Sequence, residues 1–256
     1  GTGLVVWGIA EPVTHALSPP SEAMGASTMA FLITNFHWGL HAWAIYAAGA
    51  LVLAYFGFVH GTNYLPSSPL VREFNLPGIR VAAHTADVLA IVAVVFGVAG
   101  SIAMGTMLVH SGLTELTGVS ATSAAVDWAI LGVLFVAYMA SSATGLDKGI
   151  RILSNLNMAA AFGLLIALIV LGGPSASLAN IGQRTWEYMA AIPALCTQLN
   201  PFSATPAWYE GWTLIYMVWW VAWTPFVGIF IARISRGRSI REFVTGVLAV
   251  PTLFSI

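Results

Sequence analysis

The sequence predicts an all-α membrane protein, and three observations carry that prediction. Only 7% of its 256 residues are charged while 58% are hydrophobic, against about 25% charge in an ordinary soluble domain. Nine Lys/Arg and ten Asp/Glu cannot keep a globular surface of this size wet, so lipid is the solvent this composition suits. The apolar residues are gathered into runs of roughly 20 or more, the length that crosses about 30 Å of hydrocarbon. The basic residues are sorted to one side of those runs. The formal net charge of −1 gives no basis for a nucleic-acid partner, and the single cysteine, Cys196, excludes an internal disulfide framework or a Cys-rich metal centre.

In chain order, a partial span occupies 1–17. Five complete spans follow at 28–58, 84–110, 122–144, 155–173 and 211–234, and a further partial span covers 240–256. Lipid forces each span to satisfy its backbone internally, which helices do; a β-barrel needs alternating segments of about ten residues, and these runs are too long and too uniformly apolar. Residues 61–80 (GTNYLPSSPLVREFNLPGIR) carry Pro66, Pro69 and Pro77 and read as an irregular connection. Residues 174–210 form the longest connection, with Trp186, Trp208 and several prolines; part of it is expected to lie along the membrane surface as an amphipathic helix. The sequence starts at Gly1 without Met, inside one apolar stretch, and stops at Ile256 inside another, so an internal piece of a longer protein is expected.

Charge placement supports the span count. If the spans alternate in direction, one set of loops holds Arg72, Arg80, Lys148, Arg151, Arg233, Arg236, Arg238 and Arg241, and the other set holds only Arg184. That eight-to-one split assigns the first set to the cytoplasmic side of a cell membrane. A span miscounted in the middle would spoil it.

Two spans are dense in aromatics. FHWGLHAWAIYA supplies Trp38, Trp43 and Tyr46, which project at about 0°, 140° and 80° on a continuous helix. YMVWWVAWTPF supplies Tyr216, Trp219, Trp220 and Trp223, which fall within roughly 100° of arc. Trp and Tyr also populate interfacial belts, and any one of these rings fits that reading. As one-sided groups several residues inside their spans they fit a shared cavity better. Aromatic faces in a dry cavity attract a cation without hydrogen-bond donors, each well-placed ring contributing about 0.5–2 kcal/mol. The middles of the spans read as nearly free of charge, which suits a zwitterionic or cationic solute held by π faces rather than by ion pairs. Gly1, Gly3 and Gly8 punctuate the opening span ahead of Pro12, a pattern that fits either a discontinuous, solute-binding helix or close helix packing.

His37 and His41 stand four apart, which is metal-ligand spacing, but no Glu accompanies them between. No metal, cofactor or catalytic residue is expected, and the protein does not read as an enzyme.

The segments GTGLVVWGIAEPVTH, FHWGLHAWAIYA, LDKGIRILSNLN and WWVAWTPFVGIFIARISRGRSIREF resemble, in order and across the whole chain, the betaine–choline–carnitine transporter family. The resemblance implies a twelve-span, sodium-symporter-like bundle of two inverted five-helix repeats. This chain would be a single transmembrane transporter domain over 1–256, starting within span three and ending within span nine. It would hold nearly all of the first repeat and the opening helix of the second. The implied activity is secondary transport of betaine, choline or carnitine by alternating access. The family's aromatic box falls on Trp38, Trp43, Tyr46 and Trp220; Trp219 and Trp223 match further family tryptophans, and Gly1 and Gly3 match its glycine stretch.

The same resemblance implies sodium as coupling ion and, in some members, a homotrimer. Two departures stand out. Met217 occupies a position where many members have Trp, which implies a cage that is roomier or less cation-selective. Val94 and Val98 stand where sodium-coupled members tend to have threonines, and valine offers no oxygen to a hard cation, so one of two sodium sites is in question. The competing expectations are a same-fold transporter of ectoine or a sulfonium compound, and a membrane sensor that binds the solute without moving it.

Overall fold

The computed structural model describes residues 2–118, 124–143 and 151–256. Every regular element among them is a helix. They are α1 (Thr2–Leu17), α2 (Ala26–Trp38), α3 (Leu40–Val59), α4 (Ser67–Glu73), α5 (Ile79–Thr117), α6 (Ala124–Ala143), α7 (Arg151–Leu171), α8 (Pro174–Thr197), α9 (Pro206–Tyr209), α10 (Ile215–Ile234) and α11 (Ile240–Ser255). A wide π turn, Glu210–Leu214, joins α9 to α10. Four stretches are long and apolar enough to cross a membrane: Ala26–Val59, Ile79–Thr117, Ser154–Leu171 and Pro206–Ile234. The apolar part of α6, Ala124–Ala140, is shorter. The protein is an all-α membrane protein, and large apolar side chains such as Phe96, Trp128 and Val133 are mostly exposed on its helices, as lipid-facing residues are.

The chain divides into two compact units. One comprises Gly1–Trp7 and Val98–Asn180, the other Gly8–Gly97 and Ile181–Ile256. In the first, His110 on α5 pairs with Asp127 on α6. The second holds the core and the candidate site. Its first cluster packs Met29, Leu32, Ile33 and Phe36 of α2 against Tyr188 and Leu195 of α8 and against Phe202. Arg184 of α8 reaches Thr28 and Ser27 at the start of α2, at 2.7 and 2.9 Å, and pairs with Glu187. Its second cluster packs Tyr46, Ala50, Leu53 and Ala54 of α3 against Ile231 and Ala232 of α10 and Phe243 of α11. Small residues let α3 and α10 approach closely: a Cβ on Gly49 would collide with the Thr224 methyl, and one on Gly228 would just touch the Ala50 backbone.

Several elements differ from the sequence reading. The span expected at 28–58 is interrupted: α2 ends at Trp38, Gly39 leaves the helical conformation (φ −92, ψ −134), and α3 restarts at Leu40. There is no room for a side chain at the break, since a Cβ on Gly39 would lie 2.7 Å from the Tyr188 hydroxyl and 2.5 Å from the Asn35 carbonyl. α5 runs for 39 residues, about 58 Å and well beyond the hydrocarbon thickness. The connection at 61–80 contains α4, whose first residue's N–H is held by Asp87 of α5 at 3.0 Å. The connection at 174–210 contains the 24-residue α8. The opening span is unbroken from Thr2 to Leu17, Gly3 and Gly8 included, so its glycines do not unwind it there. Gly1 and Lys148 lie outside the described residues.

Candidate functional site

The break at Gly39 builds the site. The last carbonyls of a helix lack internal partners, and at the end of α2 other helices supply them. Trp220 of α10 donates its indole N–H to the His37 carbonyl at 2.8 Å, and Ser255 of α11 donates its hydroxyl to the Trp38 carbonyl at 3.0 Å. Trp220 is thereby fixed against three other rings. Its centroid lies 5.7 Å from Trp38, 6.4 Å from Trp43 and 5.0 Å from Tyr46, in edge-to-face or tilted arrangements. Trp43 and Tyr46 also meet edge-to-face at 5.6 Å. Such pairs contribute about 0.5–1.5 kcal/mol beyond area burial. The four rings named from sequence therefore come together. The geometric reason differs from the one expected, because Trp38 and Trp43 belong to two helices rather than to one face of a continuous helix.

The second aromatic group does not act as one set. Tyr216 extends the cluster through Trp38, at 5.5 Å, and stacks on His37 at 4.5 Å with planes only 15° apart. Trp223 sits a turn further along, against Phe226 and over Gly97 of α5. Trp219 is half-buried, and among the described residues it has no ring partner. Met217 packs on the cluster of Met29, Phe36 and Tyr188. Gly3 lies within α1.

At the centre stands a residue that sequence reasoning passed over. Glu11 of α1 is fully buried. One carboxylate oxygen accepts from the Trp38 indole N–H at 2.7 Å and the Tyr216 hydroxyl at 2.6 Å. The other lies 2.6 Å from His37 Nδ1 and 3.5 Å from His15 Nε2. The far nitrogen of His37 is 2.9 Å from Thr213 Oγ1, in the π turn. π turns gather at functional sites, and this one also carries Trp212, whose ring meets His15 at 4.5 Å. A buried carboxylate needs such a set of donors, since an uncompensated one is strongly unfavourable.

The two aromatic spans are charge-poor as read, and the buried charge beside them comes from Glu11 of the opening helix. The available signal was a lone acid inside an apolar run, with His15 one helical turn away on the same face. His37 and His41 do not act together: His37 joins Glu11, while His41 faces Phe36 at 4.4 Å and lies 3.4 Å from Cys196 Sγ. On α8, Tyr188 accepts the Leu40 N–H at 3.0 Å, and burial pushes its phenol up to about 12, so it is neutral at any working pH.

A multi-pass helical membrane protein whose spans bring tryptophans and a buried carboxylate together is the class that this fold and site define. The family model for BCCT, betaine/carnitine/choline family transporter, matches residues 1–256. The chain is 40% identical over 267 residues to glycine betaine transporter 1 of Vibrio parahaemolyticus, covering 100% of this chain and 50% of that one. It is 40% identical over 261 residues to the glycine betaine transporter OpuD of Bacillus subtilis (100% and 51%). It is 39% identical over 256 residues to an ectoine/hydroxyectoine transporter of Virgibacillus pantothenticus (98% and 50%). The chain belongs to the betaine/carnitine/choline transporter family. It spans about half the length of these curated relatives.

Proposed function

We propose that this chain forms the solute-binding part of a secondary transporter that takes a quaternary-ammonium solute of the betaine, choline or carnitine class across a cell membrane. The observation that carries this reading is the convergence of Trp38, Trp43, Tyr46 and Trp220 from α2, α3 and α10. None of the four is exposed, and in this reading their faces take up a methylated nitrogen. A trimethylammonium group has no donor for a carboxylate to accept, and π faces suit it better than ion pairs do. The Tyr216 and Trp38 polar atoms are already engaged by Glu11, which leaves their rings as the parts offered to a solute.

In this proposal α1 and α9–α10 are the first helices of two inverted repeats, and residues 1–256 are one transmembrane domain of a longer bundle. Transport proceeds by alternating access as one bundle rocks against the rest. The coupling ion is sodium, with one site weakened because Val94 and Val98 on α5 carry no oxygen. The oligomer is a trimer by family analogy. A same-fold ectoine carrier is the second reading, favoured by the identity to the ectoine/hydroxyectoine transporter and by Met217 lying on a neighbouring cluster rather than adding a ring to the cage.

The deciding experiment is uptake of labelled betaine, choline, carnitine and ectoine by cells expressing the complete gene, with sodium and with sodium replaced. Saturable uptake of a trimethylammonium solute supports the reading. Uptake of ectoine alone selects the second, and binding without flux means a sensor.

A further inference from the structure

We propose that Glu11, His15 and His37 form a binding site for one divalent transition-metal ion of the zinc class. The inference does not depend on the transport reading, since it stands on three side chains and their surroundings. Glu11 Oε1, His15 Nε2 and His37 Nδ1 all lie within 4.8 Å of one another, and the three residues are 0–1% exposed.

Three features mark this cluster as a ligand set rather than a packed polar core. The first is the orphan nitrogen. His15 Nε2 is buried and has no hydrogen-bond partner, although it points at the Glu11 oxygen 3.5 Å away. A proton on His37 Nδ1 would satisfy the 2.6 Å contact with Glu11 and still leave His15 unpartnered. A metal ion gives all three inner atoms a partner at once.

The second is that the outer atoms are already held. Glu11 Oε2 receives the Trp38 N–H and the Tyr216 hydroxyl, and His37 Nε2 is against Thr213 Oγ1. Metal-ligating histidines and carboxylates are oriented by outer partners of this kind, which fix the tautomer and aim the inner atom. In the tautomer whose Nε2–H donates to Thr213, the Nδ1 lone pair of His37 faces Glu11 and is free to ligate an ion held between them.

The third is the spacing. Ligand bonds of about 2.0–2.1 Å put tetrahedral ligands about 3.3 Å apart. The His15–Glu11 distance is already close to that, and the His37–Glu11 distance reaches it by opening less than about 1 Å. Two imidazoles and a carboxylate select zinc, nickel, cobalt or copper over magnesium, calcium or an alkali ion. The site is therefore distinct from any sodium site. An ion held here would tie α1 to the end of α2 and, through Thr213, to the π turn.

The test uses the full-length protein carrying Cys196→Ser, which removes the separate His41–Cys196 pair. After metal stripping, Zn2+ is titrated by calorimetry and Co2+ is followed by its visible ligand-field bands. One Zn2+ per chain with micromolar or tighter affinity and an intense four- or five-coordinate Co2+ spectrum are expected. His15→Phe, which keeps an aromatic ring beside Trp212, is expected to weaken Zn2+ at least about tenfold and to abolish the Co2+ bands, while His41→Gln changes neither. A featureless Co2+ spectrum in the unsubstituted triad overturns the proposal without reference to any variant. Unchanged Zn2+ affinity in His15→Phe overturns it equally. Uptake is not a readout, so a failure of the aromatic cage leaves this test standing.

Discussion

Two side chains carry most of the local argument, and they fail in different ways. Trp220 touches three other rings and is held by the His37 carbonyl. Trp220→Leu keeps apolar bulk and removes one π face, a loss of about 1–2 kcal/mol of cation attraction. The apparent solute constant for uptake is expected to rise about 5- to 30-fold; an unchanged constant would count heavily against the cage. Glu11 is a matter of integrity before affinity. Glu11→Gln keeps the shape but places an amide among donors from Trp38 and Tyr216 and the His37 ring. Hydrogen bonds to charged groups contribute about 1.5–3 kcal/mol each, so a loss of about 2–3 kcal/mol is expected. The measurement is the thermal midpoint of the purified full-length protein, and a midpoint equal to the parent's would show that the carboxylate charge is not needed for the fold.

Among the elements, the break between α2 and α3 matters most. A continuous helix would carry Trp38 and Trp43 at the angles the sequence suggests and would leave no free carbonyl for Trp220. The interruption at Gly39 turns one span into two segments and provides that acceptor. Gly39→Ala drives a methyl into the Tyr188 hydroxyl and the Asn35 carbonyl, and overpacking of this kind typically costs about 1–3 kcal/mol. Lower stability is expected, together with a changed tryptophan emission as Trp38 and Trp43 shift. Adding Tyr188→Phe removes the nearer side-chain obstacle and is expected to recover part of the loss. A Gly39→Ala protein with parental stability and emission would mean that the break does not position the rings. The same element shows where sequence reading stops. The hydrophobic run across 28–58 is uniform enough to announce a span. At the break the Leu40 N–H is taken up by a hydroxyl on Tyr188, some 150 positions away, and long-range contacts of this kind leave no periodic signature.

At the scale of the molecule, what was legible followed from solvent and chemistry type. Low charge and long apolar runs announced helices in lipid, and the clustering of Trp and Tyr in two spans announced the rings that meet. Glu11 was legible in principle, but its meaning depends on donors from α2 and α10 that only the fold brings near. The sorting of basic residues makes a claim about the whole chain that can be checked. If Arg72, Arg80, Arg233, Arg236, Arg238 and Arg241 face the cytoplasm, then α8, on the opposite side, faces outward. Cys196 near the end of α8 is exposed. A membrane-impermeant maleimide added to intact cells, followed by peptide mapping of the full-length protein, is expected to label Cys196. Blocking from outside first should abolish labelling after permeabilisation. Modification only after permeabilisation would invert the topology and place Arg184 rather than the other arginines inside.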